Sequence, residues 1–210
     1  MPHPPLEVRV WGDFACFTRP EARGERVSYP VMTPSAARGV LEAIFWKPEF
    51  RWKVEEIWVL RPIKFFSILR NEVTKKAAVS GIRHWDRGDG FFAEEDRAQR
   101  HTLALRDVAY MIRADVDVKS GVEEHPAKYR DQFRRRVERG ACAFTPYLGC
   151  REFSAFFGPR VPGEQPIEET AELGRMLLDV EYSQTRSGHG TPRFFEARIA
   201  DGVIAIPGVA

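Results

Sequence analysis

The chain has little that would tie it to export, membranes or a metal. Its three cysteines, Cys16, Cys142 and Cys150, are an odd number with no CxxC spacing, which argues against both a disulfide framework and a cysteine-based zinc site. They read as reduced thiols in a cytoplasmic protein. No stretch approaches the ~20 apolar residues of a membrane span, and the opening MPHPPLEV lacks an apolar run behind a basic segment. The expectation is therefore a chain neither exported nor embedded. Histidine is scarce as well: His84, His101 and His189 have no ligand spacing among them, so no metal and no cofactor is proposed. Net charge is only +2 with an isoelectric point near 8.5. A uniformly basic nucleic-acid coat is excluded, and any anion site must come from local segregation of charge.

What is present is enough for a core: 210 residues, 43% of them hydrophobic, suffice for one large domain or two small ones. Leu6, Val8 and Val10 alternate with Glu7, Arg9 and Trp11, the period of a strand with one covered face. Thr33 before Pro34 signals a helix start, with Ala37, Val40, Leu41 and Ile44 on one face and Phe45-Trp46-Lys47 as the expected last turn before Pro48. Ile57, Val59 and Leu60, with Trp52 and Trp58, predict a second strand that continues as an extended arm to Leu69. Val108, Tyr110, Ile112, Ala114 and Val116 predict a third, and Tyr147 to Phe157 should be extended again.

The most informative stretch is HPAKYRDQFRRRVERG, from His125 to Gly140. Tyr129, Phe133 and Val137 form an apolar stripe, and Gly140 stands where a helix would end. The rest of that helix carries six cations, Lys128, Arg130, Arg134, Arg135, Arg136 and Arg139, against two carboxylates, Asp131 and Glu138. This exceeds what pairing along a helix requires and points to a polyanion. A solvated helix face is the plain alternative.

In order, strand, helix, strand, strand, helix, strand over Leu6 to Phe157 is the sequence of elements in a ferredoxin-like (RRM-type) βαββαβ unit of an α+β protein. The expected domains are 1–157, with a long insertion at about 70–100, and a small C-terminal β-sheet subdomain over 158–210. In the latter, Asp201-Gly202 is a two-residue hairpin signal. The insertion holds Asp86, Asp89, Glu94, Glu95 and Asp96, a set that could suggest paired metal ions, but the interleaved Arg83, Arg87 and Arg97 suggest a self-screened loop. Cys150 in YLGCREF has no evident paired base and reads as packing.

The segments VWGDFACFTRPE, IFWKP, RxTLALRDVAY and AKYRDQFRRRVERGxxxxxPYLGCREF, in order along nearly the whole chain, resemble the subtype I-C member of the fifth Cas protein family, the d variant, within the RAMP superfamily of CRISPR systems. The resemblance implies an endoribonuclease that cuts CRISPR precursor RNA at each repeat hairpin and stays on the guide RNA as a subunit of the Cascade complex. It further implies a site made of an aromatic residue near the end of the first helix, with a lysine and a histidine at the second. Carried onto this sequence, the aromatic position falls on Phe45, which has no hydroxyl, and the lysine–histidine pair falls near Ala127-Lys128, with His125 three residues before. Metal-independent RNA cleavage needs a base for the 2′-hydroxyl, an acid for the departing 5′-oxygen and cations for the charge on phosphorus. Lys128 is the candidate stabiliser, His125 the candidate acid or base, and Tyr129 a third candidate whose place in the apolar stripe favours packing. Trp46, Lys47, Arg100, Arg130, Arg134, Arg135 and Arg139 are the candidate RNA-binding residues. Two readings of another class stay open: a subunit that holds the guide's 5′ tag without cutting, and a protein that binds double-stranded DNA or cleaves DNA with metal help.

Overall fold

The structure is a computed structural model that describes residues 3–22, 25–74, 94–182 and 190–208. Asp86, Asp89, Arg83, Arg87, His84 and His189 lie outside the described residues. The elements are β1 (Leu6–Ala15), β2 (Arg26–Val27), α1 (Pro34–Ile44), β3 (Phe50–Val59), β4 (Phe65–Val73), β5 (Arg97–Val118), α2 (Pro126–Arg139), β6 (Phe156–Gly158), β7 (Ala171–Tyr182), β8 (Gly190–Ile199) and β9 (Val203–Ala205). The protein is thus mixed α and β, mostly strand, with two helices among the described residues.

The main sheet runs β6-β1-β5-β3-β9. Its register explains the alternation in sequence. Val8 faces Ile112, which faces Ile57; Val10 faces Tyr110, which faces Val59. These residues line one face and are buried together with Ala37, Val40, Leu41 and Ile44 of α1 and Tyr129, Phe133 and Val137 of α2 in one contiguous core. Each such large apolar side chain contributes roughly 1.5–3 kcal/mol by leaving water, so both helices are held to the sheet by their stripes. On the opposite face Arg113 pairs with Glu7 at 3.2 Å and Glu56 at 2.6 Å and stacks on Trp58, while Arg9 chelates Glu164 from the chain that follows β6.

β5 is 22 residues long because it serves two sets of partners in turn. Its second half lies between β1 and β3, and its first half forms a ribbon with β4, to which β2 adds in parallel at Thr102 and Leu103. Asp107, at φ 54, marks the changeover, and its carboxylate is held by Arg61 at 2.5 Å and Lys64 at 3.4 Å.

Four expectations are corrected. Helix α1 stops at Ile44, and Phe45 is extended at φ −155. The expected last turn does not form because Phe45 turns into the core, packing on Phe50 at 5.5 Å, while its carbonyl accepts from the Trp52 indole at 2.8 Å. The aperiodic stretch begins later and ends earlier than expected, since Arg70–Val73 and Arg97–Arg100 are paired strand. A ribbon with neither face deeply covered needs no apolar alternation, so its strands were hidden. Between Tyr147 and Phe157 only Phe156 belongs to a strand before the last residue, because Gly149 turns at φ +85 with its backbone pressed on Cys16. A Cβ there would stand 2.1 Å from the Cys16 carbonyl oxygen. Finally, the C-terminal region is divided: β7 and β8 pair with each other, but β9 pairs with β3 at the edge of the main sheet. The Asp201-Gly202 turn between β8 and β9 has φ 47 and φ 74, the left-handed pair a two-residue hairpin needs.

Candidate functional site

Helix α2 places most of the candidates. His125 caps it: the ring Nδ1 accepts the Ala127 amide at 3.2 Å, satisfying one of the donors a helix start leaves open. Because Nδ1 accepts, the proton of the neutral ring sits on Nε2, leaving an exposed donor. Lys128 projects into solvent from the first turn and pairs with Glu124 at 2.6 Å. That hydrogen bond is the main reason its ammonium is held above the usual lysine range, so it is a cation throughout the neutral region.

Tyr129 is different. It is buried at 3% exposure, and its hydroxyl is occluded with no hydrogen-bond partner. Desolvation first, then the Glu49 and Glu124 carboxylates, push the phenol above its ordinary value, so it stays protonated at neutral pH. One carboxylate oxygen of Glu49 is likewise occluded and unpartnered.

The segment after α1 meets this helix. Phe50 lies 5.5 Å from Phe45 on one side and 5.1 Å from Tyr129 on the other, so the two aromatic candidates share one cluster with Phe50 between them. The Lys119 amide donates to the Glu49 carbonyl at 2.9 Å, which ties the approach to α2 against the turn that begins β3. Arg136 reaches across from α2 to the last carbonyl of α1, Ile44, at 2.7 Å, with its guanidinium over the Phe45 ring at 5.7 Å. A cation at a helix C-terminus complements the open carbonyls and the dipole. Phe45 is therefore a core residue at 3% exposure. Trp46 and Lys47, immediately after it, are exposed, Trp46 at 55%.

The cationic face resolves into three kinds of arginine. Arg130 is buried at 3% exposure and clamps Asp115 and the Pro4 carbonyl, so it is an internal tie and no part of an RNA-binding surface. A guanidinium can be buried only if such acceptors meet it. Arg134 pairs with Asp131 at 2.9 Å. Arg135 and Arg139 are exposed and line, with Gln132, Arg136 and Ala141, a cleft of about 310 Å³. Beside it the 141–147 segment is sewn to α1 by the Ala143 amide on the Ala43 carbonyl at 2.8 Å, and leaves Phe144 55% exposed. Arg100 sits elsewhere, on the β4–β5 ribbon opposite Arg70, 3.8 Å from Glu72.

Gln132, Arg136, Phe144, Glu49 and Glu124 were absent from the sequence-derived set. The Glu124–Lys128 pair was legible as an i, i+4 spacing. Glu49 and Phe144 carry no local signal, since only the fold brings them to α2 and α1.

Among known proteins, the family model described as CRISPR-associated protein (Cas5), of the Cas5d type, matches residues 5–207. The curated protein "CRISPR pre-crRNA endoribonuclease Cas5d" of Thermus thermophilus is 44% identical, the alignment covering 96% of this chain and 91% of that one. Of solved structures, one titled "Crystal Structure of CRISPR-associated Protein" is similar with a TM-score of 0.68 at 22% identity, over 98% of this chain and 95% of the other. A chain of a "CRISPR RNA-guided surveillance complex" is similar with a TM-score of 0.53 at 13% identity, over 98% and 90%. With a family model spanning almost its whole length and a relative this similar, the chain belongs to the Cas5d family of CRISPR-associated proteins.

Proposed function

We propose that this protein is a metal-independent endoribonuclease that cleaves CRISPR precursor RNA at the repeat hairpin and remains as a subunit of the subtype I-C Cascade complex. The carrying observation is the 44% identity, over nearly the full length, to a protein named for that precursor-cleaving activity. The fold and site agree with it. β1, α1, β3, β5, α2 and β6 read as a ferredoxin-like RAMP domain over 1–157, because the four antiparallel strands lie in the order β6-β1-β5-β3. Residues 158–210 add β7, β8 and β9 to it. Three free thiols favour a cytoplasmic location, where the transcript is.

In this reading the RNA lies along α2. Arg135, Arg136 and Arg139 hold phosphates in the cleft, and Trp46 stacks on an unpaired base. At the N-terminal edge the 2′-hydroxyl next to the scissile phosphate attacks phosphorus, leaving a cyclic phosphate and a 5′-hydroxyl. Lys128 stabilises the charge that develops on the phosphoryl oxygens. His125, with its proton on Nε2, hydrogen-bonds the departing 5′-oxygen, which takes a proton from water, while water also accepts the proton that the 2′-hydroxyl loses. Tyr129, its hydroxyl occluded, serves as packing, and Phe45 supports the cluster through its ring.

Incubating purified protein with repeat hairpin RNA in EDTA should give cutting, lost by about 10²-fold or more in Lys128→Ala and His125→Ala. A 2′-deoxy nucleotide at the cleavage position should block it. No cutting by the unmodified protein would sink the reading. The burial of Phe45 without a hydroxyl is the one observation that favours the second reading, a subunit that binds the guide's tag without cutting. That reading expects tight binding and intact RNA in the same assay.

A further inference from the structure

Away from the α2 edge, three residues from two segments converge on Cys150. The Arg26 guanidinium of β2 donates to its Sγ at 3.5 Å, and the Thr18 hydroxyl lies 3.7 Å from the same sulfur. Thr18 also lies 3.7 Å from the Sγ of Cys16, a fully buried residue just after β1. Thr18 thus bridges the two sulfurs, and the Cys150 thiol donates to the Cys16 carbonyl at 3.4 Å. The backbone holds them there: the Cys16 amide donates to the Leu148 carbonyl at 3.0 Å, and Gly149 lies flat on Cys16 where no side chain fits.

The geometry points to a modification site: Cys150 is a reactive thiolate that hydrogen peroxide or a similar hydroperoxide oxidises, and Cys16 is the resolving thiol that closes a Cys16–Cys150 disulfide. The thiolate sulfur attacks one peroxide oxygen, the O–O bond breaks, and hydroxide leaves to be protonated as water, giving a sulfenic acid on Cys150. Cys16 sulfur then attacks Cys150 sulfur; the S–S bond forms, the S–O bond breaks, and the Cys16 proton departs with the second water. Two thiols are oxidised by two electrons and the peroxide is reduced to two waters. Both sulfurs lie 3.7 Å from the one Thr18 hydroxyl, so closure asks only for local rotation of the two side chains.

Asymmetry between the thiols assigns their roles. Cys150 is lowered to about 6 by the hydrogen bond from Cys16 and then by Thr18 and Arg26, while Cys16 is pushed up by its partner and by burial. The charged groups around the pair are Arg26, which also meets Glu152 at 3.0 Å and Glu72 at 3.4 Å, and Arg70 of β4, 3.0 Å from Glu152. Carboxylates thus face the arginines, and the sulfur meets the Arg26 and Thr18 donors on one side and the Cys16 carbonyl, an acceptor for the protonated thiol, on the other. Cys150 is partly exposed, so a small oxidant has access. Disulfide closure would pin the Leu148–Glu152 turn to the end of β1.

The test uses the full chain in a Cys142→Ser background, which removes the exposed third thiol. After peroxide treatment and non-reducing peptide mapping, the expected product is a Cys16–Cys150 crosslinked peptide that dithiothreitol reverses. With Cys16→Ser added, Cys150 should instead accumulate as a sulfenic acid trapped by dimedone. Iodoacetamide alkylation of Cys150 should be half-maximal near pH 6, and Arg26→Gln should move that midpoint upward and slow alkylation at pH 7 several-fold. Both thiols remaining fully alkylatable after peroxide would overturn the site. An alkylation midpoint at the ordinary thiol value, unmoved by Arg26→Gln, would overturn the activation by arginine.

Discussion

Two regions of this molecule are crowded with arginine, and they differ in what answers the charge. On the β4–β5 ribbon and its flank, Arg26 and Arg70 share Glu72 and Glu152, and Arg100 approaches Glu72. On the C-terminal half of α2, among the described residues Arg135 reaches only the Asp131 carbonyl at 3.3 Å, and Arg139 stands with it around an open cleft. The first cluster is an internal network that holds segments together. The second presents charge that the protein itself does not neutralise, which is what a polyanion can exploit by releasing its counterions. Local charge counts cannot make this distinction, because Glu72 and Glu152, which answer Arg26, and Glu152, which also answers Arg70, lie far away in sequence.

Arg130 breaks the pattern within α2 and gives the largest expected effect. It belongs to the same run of arginines, yet it is buried on Asp115 and the Pro4 carbonyl. Arg130→Ala takes the guanidinium from the Pro4 carbonyl and leaves Asp115 with the Val116 amide at 2.8 Å, and should lower stability by about 3 kcal/mol, seen as a lower urea midpoint with an unchanged slope. If Arg130→Ala unfolds like the parent protein while losing RNA affinity, Arg130 belongs with the surface arginines after all. Next in size, Arg135→Ala with Arg139→Ala should leave the midpoint within about 0.5 kcal/mol. It should weaken repeat RNA binding about tenfold and reduce the slope of log affinity against log salt by about one per arginine. Filter binding at several salt concentrations measures both.

Much of the frame was legible because it rests on local rules. The β1 alternation, the Thr33 cap, the Tyr129–Phe133–Val137 stripe and the Gly140 stop, at φ 63, are each decided by residues a few positions apart. What escaped was decided across the fold. Phe45 leaves its helix because Phe50, Trp52 and Arg136 receive it. The far end of the ribbon, Arg70–Val73 with Arg97–Arg100, shows no apolar alternation because none of its residues is buried. The site was half-legible for the same reason: Lys128 and His125 occupy the start of a helix the sequence marks plainly. The occluded Glu49 oxygen near Tyr129 and the reach of Arg136 to the Ile44 carbonyl exist only once the two helices meet the sheet.

The smallest effect sharpens the comparison most. Arg70 donates to Thr102 at 3.0 Å and Glu152 at 3.0 Å and also pairs with Glu72, with its side chain 19% exposed. Arg70→Gln keeps a donor for Thr102 and removes one cation from a half-exposed network of roughly balanced sign. The stability change should be about 0.5–1 kcal/mol, the range of partly exposed ion pairs. Because Glu72 and Glu152 already neutralise that guanidinium, removing it should leave the salt dependence of RNA binding unaltered, in contrast to the loss of Arg135 and Arg139. A salt slope that falls as much for Arg70→Gln as for either α2 arginine would mean that the ribbon also meets phosphate, and that carboxylate neighbours do not decide which arginines are free to bind.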